Sequence, residues 1–278
     1  MSRAPHPPYG AGRMRRRGFV LGAVNALVYA FLLAPILVVV VVSFGDAAFL
    51  QFPPRRLSLR WYRDMTEYPD FIASFWLSLV LAAATTAVSG VIGTLGAFAL
   101  ARHRFLGRAL LSALVMSPLV LPGLVTGIAL LQFFNLLRSA PSFWHLLVAH
   151  VVVTVPYVVR AVGAVLVGFD RSLEEAARGL GAGPWTTTRL ITLPLIKPGI
   201  VAGAIFAFIL SFDNVVVSIF LATPRLVPLP IQIYNYVESS ARPIIASVST
   251  LQIAVIVGLL VVAERLVGFS RYYVGRDR

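Results

Sequence analysis

Six apolar runs dominate the chain, at residues 19–44, 71–101, 109–137, 142–168, 198–223 and 243–263. A helix needs ~20 residues to cross ~30 Å of hydrocarbon, and every run is at least that long. Glycines and prolines inside them are tolerable, because neighbouring helices can satisfy the freed backbone groups. The 278 residues are 58% hydrophobic and only 13% charged, which leaves too little polar surface for a soluble domain of this size. The expected fold is an all-α membrane protein with six transmembrane helices over residues 19–268.

The net charge is +13, from 24 basic and 11 acidic residues. In a soluble chain this excess would suggest nucleic acid. Between apolar spans it serves instead to orient the chain. Six spans put both ends on one side. That side carries sixteen of the basic residues, in the N-terminal tail, around Arg102 and Arg108, in the 169–197 loop and in the C-terminal tail. The other side carries seven, and Arg160 lies within the fourth span. The imbalance predicts cytoplasmic termini, with residues 1–18 a disordered basic tail and 269–278 a second basic tail. The arginines before Phe19 resemble a signal peptide, but the apolar run after them is too long for one. No cysteine is present, which excludes disulfides, thiolate metal sites and cysteine nucleophiles.

One polar stretch interrupts this pattern, the loop 170–197 between the fourth and fifth spans. Ser172 and Glu175 have capping-box spacing, so a helix is expected from Ser172. Leu173, Ala176, Ala177 and Leu180 then form a narrow apolar stripe, opposite Glu174, Glu175 and Arg178. Glu174 and Arg178 have the spacing of a favourable helical ion pair. Gly181 or Gly183 can end the helix in the left-handed conformation, and Pro184 suits the start of a second short helix, closed by Pro194 and Pro198. Two readings fit, a docking knob or a helix lying on the bilayer. An interfacial helix would use bulky apolar residues and lysines, so the small stripe favours docking.

Glu175-Ala176-Ala177, three residues, Gly181, nine residues, then Ile191-Thr192-Leu193-Pro194 matches the EAA signature E-A-A-x3-G-x9-I-x-L-P without a mismatch. The chain therefore resembles the membrane permease subunits of bacterial ABC importers. The segments MSPLVLPGLVTGIALLQFF (from Met116), SFDNVVVSIFLATP (from Ser211) and LPIQIYNYV (from Leu229) are similar to the second permease of spermidine/putrescine-type systems. The resemblance implies a bacterial inner-membrane protein forming half of a translocation pathway for a polyamine-like solute. It implies as partners a cytoplasmic ATPase dimer, a second permease and an extracytoplasmic solute-binding protein. ATP and Mg would be bound by the ATPase, and no cofactor by this chain. In the family this loop docks on the ATPase, which assigns coupling to Glu174, Glu175, Ala176, Ala177, Arg178, Gly181, Ile191, Leu193 and Pro194. The related branch also handles opines, other amines and phosphonates. It often has a second acid after the intramembrane aspartate, where this chain has Asn214.

Asp213 is the one acidic residue within an apolar run. Burying it is costly, so it should have a partner and face protein or water. Either it lines the translocation pathway with Phe212 and Asn214, or it holds helices together through Asn214 or Ser218. Arg160 could pair with Asp213 or extend to the cytoplasmic interface, and the second reading is preferred. His145 and His150 are five residues apart, a poor spacing for a shared metal, and no metal site is expected. Trp61, Tyr62, Tyr68, Trp76, Trp144, Tyr234 and Tyr236 read as an outer aromatic belt.

A phosphate-binding G-x-x-x-x-G-K-[ST] loop cannot be built around Lys197, the single lysine, because Pro198 follows it. No nucleophile–base or metal set suggests an intramembrane enzyme. An ion-coupled secondary transporter using Asp213 is the main rival, though such proteins usually need several intramembrane ionisable groups.

Overall fold

The computed structural model describes residues 11–239 and 242–267, and these are almost entirely helical. Five long helices could cross a membrane by length and apolar composition. They are α1 (Ala11–Ser43), α3 (Pro69–Arg102), α6 (Phe143–Val167), the continuous helical stretch that ends with α9 (Leu193–Phe212), and α12 (Ile244–Val267). The sixth span is a bent pair, α4 (Arg108–Val120) and α5 (Gly123–Leu136), which meet at 115°. Short helices complete the chain: α2 (Arg60–Thr66), α7 (Ser172–Gly179), α8 (Pro184–Thr187), α10 (Ser218–Leu221) and α11 (Leu229–Ser239). Helix α1 begins inside the stretch expected to be a disordered tail. The second expected tail, 269–278, lies outside the described residues.

Three expectations need correction. The third span is not one helix. Pro122 disfavours helical geometry at Leu121, and both residues are extended (ψ 139° and 135°). The fifth span ends at Phe212 rather than Thr223, because Asn214 Oδ1 accepts the Val217 N–H at 2.9 Å and offers the backbone an alternative to the helix. Nor do Pro194 and Pro198 close a separate helix. A π-turn over Thr188–Thr192 joins α8 to α9, and this wider turn carries the chain past Pro194, which sits in the first turn of α9.

Helices α3, α6 and α9 form the core of the bundle. Val158 of α6 sits between two glycines: a Cβ at Gly93 of α3 would lie 2.5 Å from its Cβ, and one at Gly203 of α9 would lie 3.0 Å from its Cα. Such close approach needs small residues, as is usual where helices pack within lipid. Below this contact Val159, Val162, Leu166, Ile196 and Ala97 form one cluster. Above it, Trp61, Phe71, Phe208, Phe212, Leu229, Ile244 and Val248 form another. Helix α1 packs on α12 and leaves most of its apolar surface exposed.

The rings expected to form an outer aromatic belt divide into exposed and packed ones. Trp76 and Trp144 are exposed. Trp61 is buried, Tyr62 shares a 2.7 Å hydrogen bond with Ser43, and Tyr68 and Tyr236 pack edge to face. Those rings fasten α1, α2, α3 and α11 at the end of α3 away from Arg102.

Candidate functional site

The polar site residues that the sequence singles out fall in two places among the described residues: the loop around α7, and the interruption after α9.

Helix α7 begins at Ser172, as its sequence predicts, but the capping box does not form. Asp170 Oδ1 accepts the Ser172 N–H at 2.9 Å instead. That bond, with a second contact to the Ser172 side chain, holds the Asp170 carboxyl below its usual range. Gly181 ends the turn with φ +90°, the left-handed conformation expected of it.

The polar face of α7 is split: Glu175 and Arg178 stay exposed, while Glu174 turns toward the bundle. Glu174 is buried, and its carboxylate accepts hydrogen bonds from Arg102 Nη1 at 2.6 Å and Nη2 at 3.0 Å. The Thr192 hydroxyl donates to the same carboxylate. The expected Glu174–Arg178 pair is therefore replaced by an interhelical one. Two fixed donors and a buried position make Arg102 the better partner than an exposed neighbour on the same short helix. Burial works to raise the Glu174 carboxyl. The hydrogen bonds from Arg102 and Thr192, with the charges of Arg102 and Arg178, outweigh it and hold the group below the usual glutamate range. The Arg102 guanidinium also lies over the Phe169 ring, 4.9 Å from its centroid.

One carboxylate thus joins α7 to the end of α3 and to the π-turn that leads into α9. Leu173, Glu175, Ala176, Arg178, Leu180, Gly181 and Pro194 are exposed, and Ala177, Ile191 and Leu193 are half-buried. Leu180 (90% exposed) and Trp185 (72%) give the tip of the loop an open apolar surface. Arg102 and Thr192 were missed in the sequence, where Arg102 counted only as an orienting charge.

At the second place, Asp213 caps α9 and is exposed, and its Oδ1 accepts a 2.9 Å hydrogen bond from Gln252 Nε2 of α12. Neither Asn214 nor Ser218 is its partner: Asn214 caps Val217, and Ser218 bonds His150. Phe212, expected along the pathway, is fully buried, stacked on Phe208 and edge-on to Phe75. Its ring anchors the helix end from which Asp213 projects. Arg160 is exposed on α6 and makes no ion pair among the described residues. His145 caps α6 through Ser142, while His150 bonds Ser211 and Ser218. Gln252 was missed too, although a lone amide in an apolar span was a signal for it.

Residues 91–268 match the family model described as the binding-protein-dependent transport system inner membrane component. The spermidine/putrescine transport system permease protein PotC of Escherichia coli K12 is 34% identical over 92% of this chain and 94% of its own length. The chain belongs to this family of membrane transport components. Another relative, the putrescine transport system permease protein PotI of the same organism, is 32% identical over 88% of this chain and 86% of its own length. The fold also matches the crystal structure of a bacterial ABC transporter involved in alginate import. There the TM-score is 0.71 at 15% identity, covering 94% of this chain and 99% of that one. Permease subunits of the family do no covalent chemistry, and ATP is hydrolysed by a separate chain.

Proposed function

We propose that this chain forms half of the translocation pathway of an ATP-driven polyamine importer in a bacterial inner membrane. Its partners are a second permease, a cytoplasmic ATPase dimer that binds ATP and Mg, and an extracytoplasmic solute-binding protein. Both termini and the α7–α8 loop face the cytoplasm, as the arginine distribution favours.

The observation that carries the substrate class is Asp213. Its carboxylate stands at the C-terminal end of α9, where the helix interrupts. A helix C-terminus carries partial negative charge, and the carboxylate adds a full one. Interrupted helices that present such ends to a pathway suit cations. The similarity to spermidine and putrescine permeases supports the same class.

Coupling runs through the loop. Leu173, Ala176, Leu180 and Trp185 present an apolar surface for the ATPase, with Glu175 and Arg178 beside it. Movement of the docked α7 is passed by Glu174 to α3 through Arg102, and to α9 through Thr192. Phe212 and Asp213 lie at the far end of α9, so a shift at the loop changes the setting of the carboxylate.

The test is reconstitution of the full transporter in vesicles with internal ATP. Labelled spermidine and putrescine should enter in an ATP-dependent manner. An assembly that hydrolyses ATP and imports a phosphonate or opine, but neither amine, would reject the substrate class. Uptake driven by a proton gradient without ATP would reject the mechanism.

A further inference from the structure

His150 lies inside the bundle on α6 with only 1% of its surface exposed. A buried imidazole needs partners for both ring nitrogens. It has them: Nδ1 is 2.7 Å from Ser211 Oγ and Nε2 is 2.9 Å from Ser218 Oγ. One ring N–H can donate to a hydroxyl while the other nitrogen accepts from the second, because a hydroxyl does both.

The identity of those partners matters. Ser211 is in the last turn of α9 and Ser218 is the first residue of α10, so they flank the interruption that holds Asp213 and Asn214. A single side chain therefore pins both edges of a gap that no helical ladder crosses. The helix backbone that carries the ring is tied to α3 by a short polar chain. Thr154 Oγ1 donates to the His150 carbonyl at 2.8 Å, and Ser89 Oγ of α3 lies 2.7 Å from Thr154 Oγ1. Ser89, Thr154, Ser211 and Ser218 are all buried.

We propose that His150 is a positioning residue for Asp213. By fixing Ser211 and Ser218 it sets the course of the segment between them and keeps the end of α9 uncovered, with the carboxylate open to the translocation pathway. The Asn214 cap on Val217 and the packing of Val217 and Leu221 hold α10 locally. The His150 ring is what ties its first residue to the last turn of α9 through side chains, and without it the segment between them is freer to fold across the helix end. The inference rests on reading Asp213 as part of the pathway.

The absence of native cysteine makes a direct test possible. Asp213→Cys gives the complete transporter's permease a single thiol, and a cationic aminoethyl thiosulfonate reagent reports how open that position is to water. Labelling should proceed in the otherwise unchanged chain. It should slow by about tenfold when His150→Leu removes two hydrogen bonds, and by about threefold when Ser218→Ala removes one. His150→Gln retains a donor and an acceptor and should label within about twofold of the parent. Leu106→Cys, on the exposed turn between α3 and α4, should label equally in all backgrounds and controls for reagent activity and the amount of chain. An unchanged elution profile in detergent reports that each variant is folded. An unchanged rate at position 213 in His150→Leu overturns the positioning role. Should that variant not accumulate, an unchanged rate in Ser218→Ala does so. If the Asp213→Cys thiol fails to label in every background, the pathway reading of Asp213 fails, and this inference fails with it.

Discussion

Arg102 and Glu174 meet in a two-pronged ion pair between the end of α3 and the face of α7 that turns toward the bundle. Both side chains are mostly buried. Removing one partner of such a pair leaves a buried charge uncompensated, at about 3–5 kcal/mol. Arg102→Ala and Glu174→Gln should therefore lower the melting temperature of the purified permease and weaken transport more than ATP hydrolysis. Glu175→Gln is the control, since Glu175 is exposed and makes no such contact. It should leave the melting temperature unchanged. Equal losses in Glu174→Gln and Glu175→Gln would contradict the anchoring role.

The same pair sets a pH dependence. The Glu174 carboxyl is held below its ordinary range in the folded chain. Its contribution is therefore complete above the unfolded glutamate value of about 4.3, and is lost as the pH falls through the lower folded value. The stability difference between the native chain and Glu174→Gln should be constant from neutral pH down to about 5 and shrink below about 4. Denaturation at stepped pH in detergent measures it. A difference that shrinks already between pH 7 and 6 would mean that another group controls the loop.

The spans and the loop were legible because their signals are local. Hydropathy alone marks long helices, and Gly181 and Pro184 occupy positions that their backbone chemistry favours. The break of the third span is also written locally, as Pro122-Gly123 after Pro118, but hydropathy does not distinguish a bent uncharged run from a straight one. What stayed hidden depends on partners distant in sequence. Glu174 looks like the polar side of a surface helix until folding brings Arg102, 72 residues earlier, against it. Gln252 and Asp213 are 39 residues apart, and the serines that hold His150 come from another part of the chain altogether. A single sequence gives the chemistry of each such residue and leaves its partner open.

Gly181 adopts φ +90° in the turn between α7 and α8. A Cβ there would meet no other atom, so the cost of substitution is in the backbone alone. That cost is about 1–2 kcal/mol for an alanine in the left-handed region. Gly181→Ala should keep membrane insertion and reduce coupled uptake, and Gly181→Pro should abolish the turn and release the ATPase. Co-purification of the ATPase with each variant checks this. Normal uptake in Gly181→Pro would mean that the turn is not needed for coupling.

The approach of α3 to α6 supplies a packing prediction. Gly93→Val would place new carbons inside contact distance of Val158, whose neighbours are helix backbones rather than flexible side-chain ends. Overpacking of this kind costs about 1–3 kcal/mol, and more where the backbone must move. The variant should aggregate at a lower temperature than the native chain. Gly258→Val on α12, where an added Cβ meets nothing within 4 Å, should not. If both variants behaved alike, the tight contact between α3 and α6 would not be the source of the effect.

Asp213 and Gln252 give the last prediction, and they separate charge from geometry. The amide of Gln252 donates to Asp213 Oδ1 at 2.9 Å, so Gln252→Leu removes a fixing hydrogen bond and keeps the carboxylate. Asp213→Asn keeps the shape and removes the charge. If the carboxylate attracts an amine, Asp213→Asn should raise the KM for spermidine uptake more than Gln252→Leu does. Losing the substrate's charge-assisted contact is worth about 1.5–3 kcal/mol, or roughly tenfold or more, whereas Gln252→Leu leaves the charge in place and removes only what orients it. The double variant should be no worse than Asp213→Asn alone, because Gln252 acts through the carboxylate that is already gone. Additive losses would show that Gln252 serves the bundle independently. An unchanged KM in Asp213→Asn, with reduced uptake at all concentrations, would make Asp213 a structural link between α9 and α12.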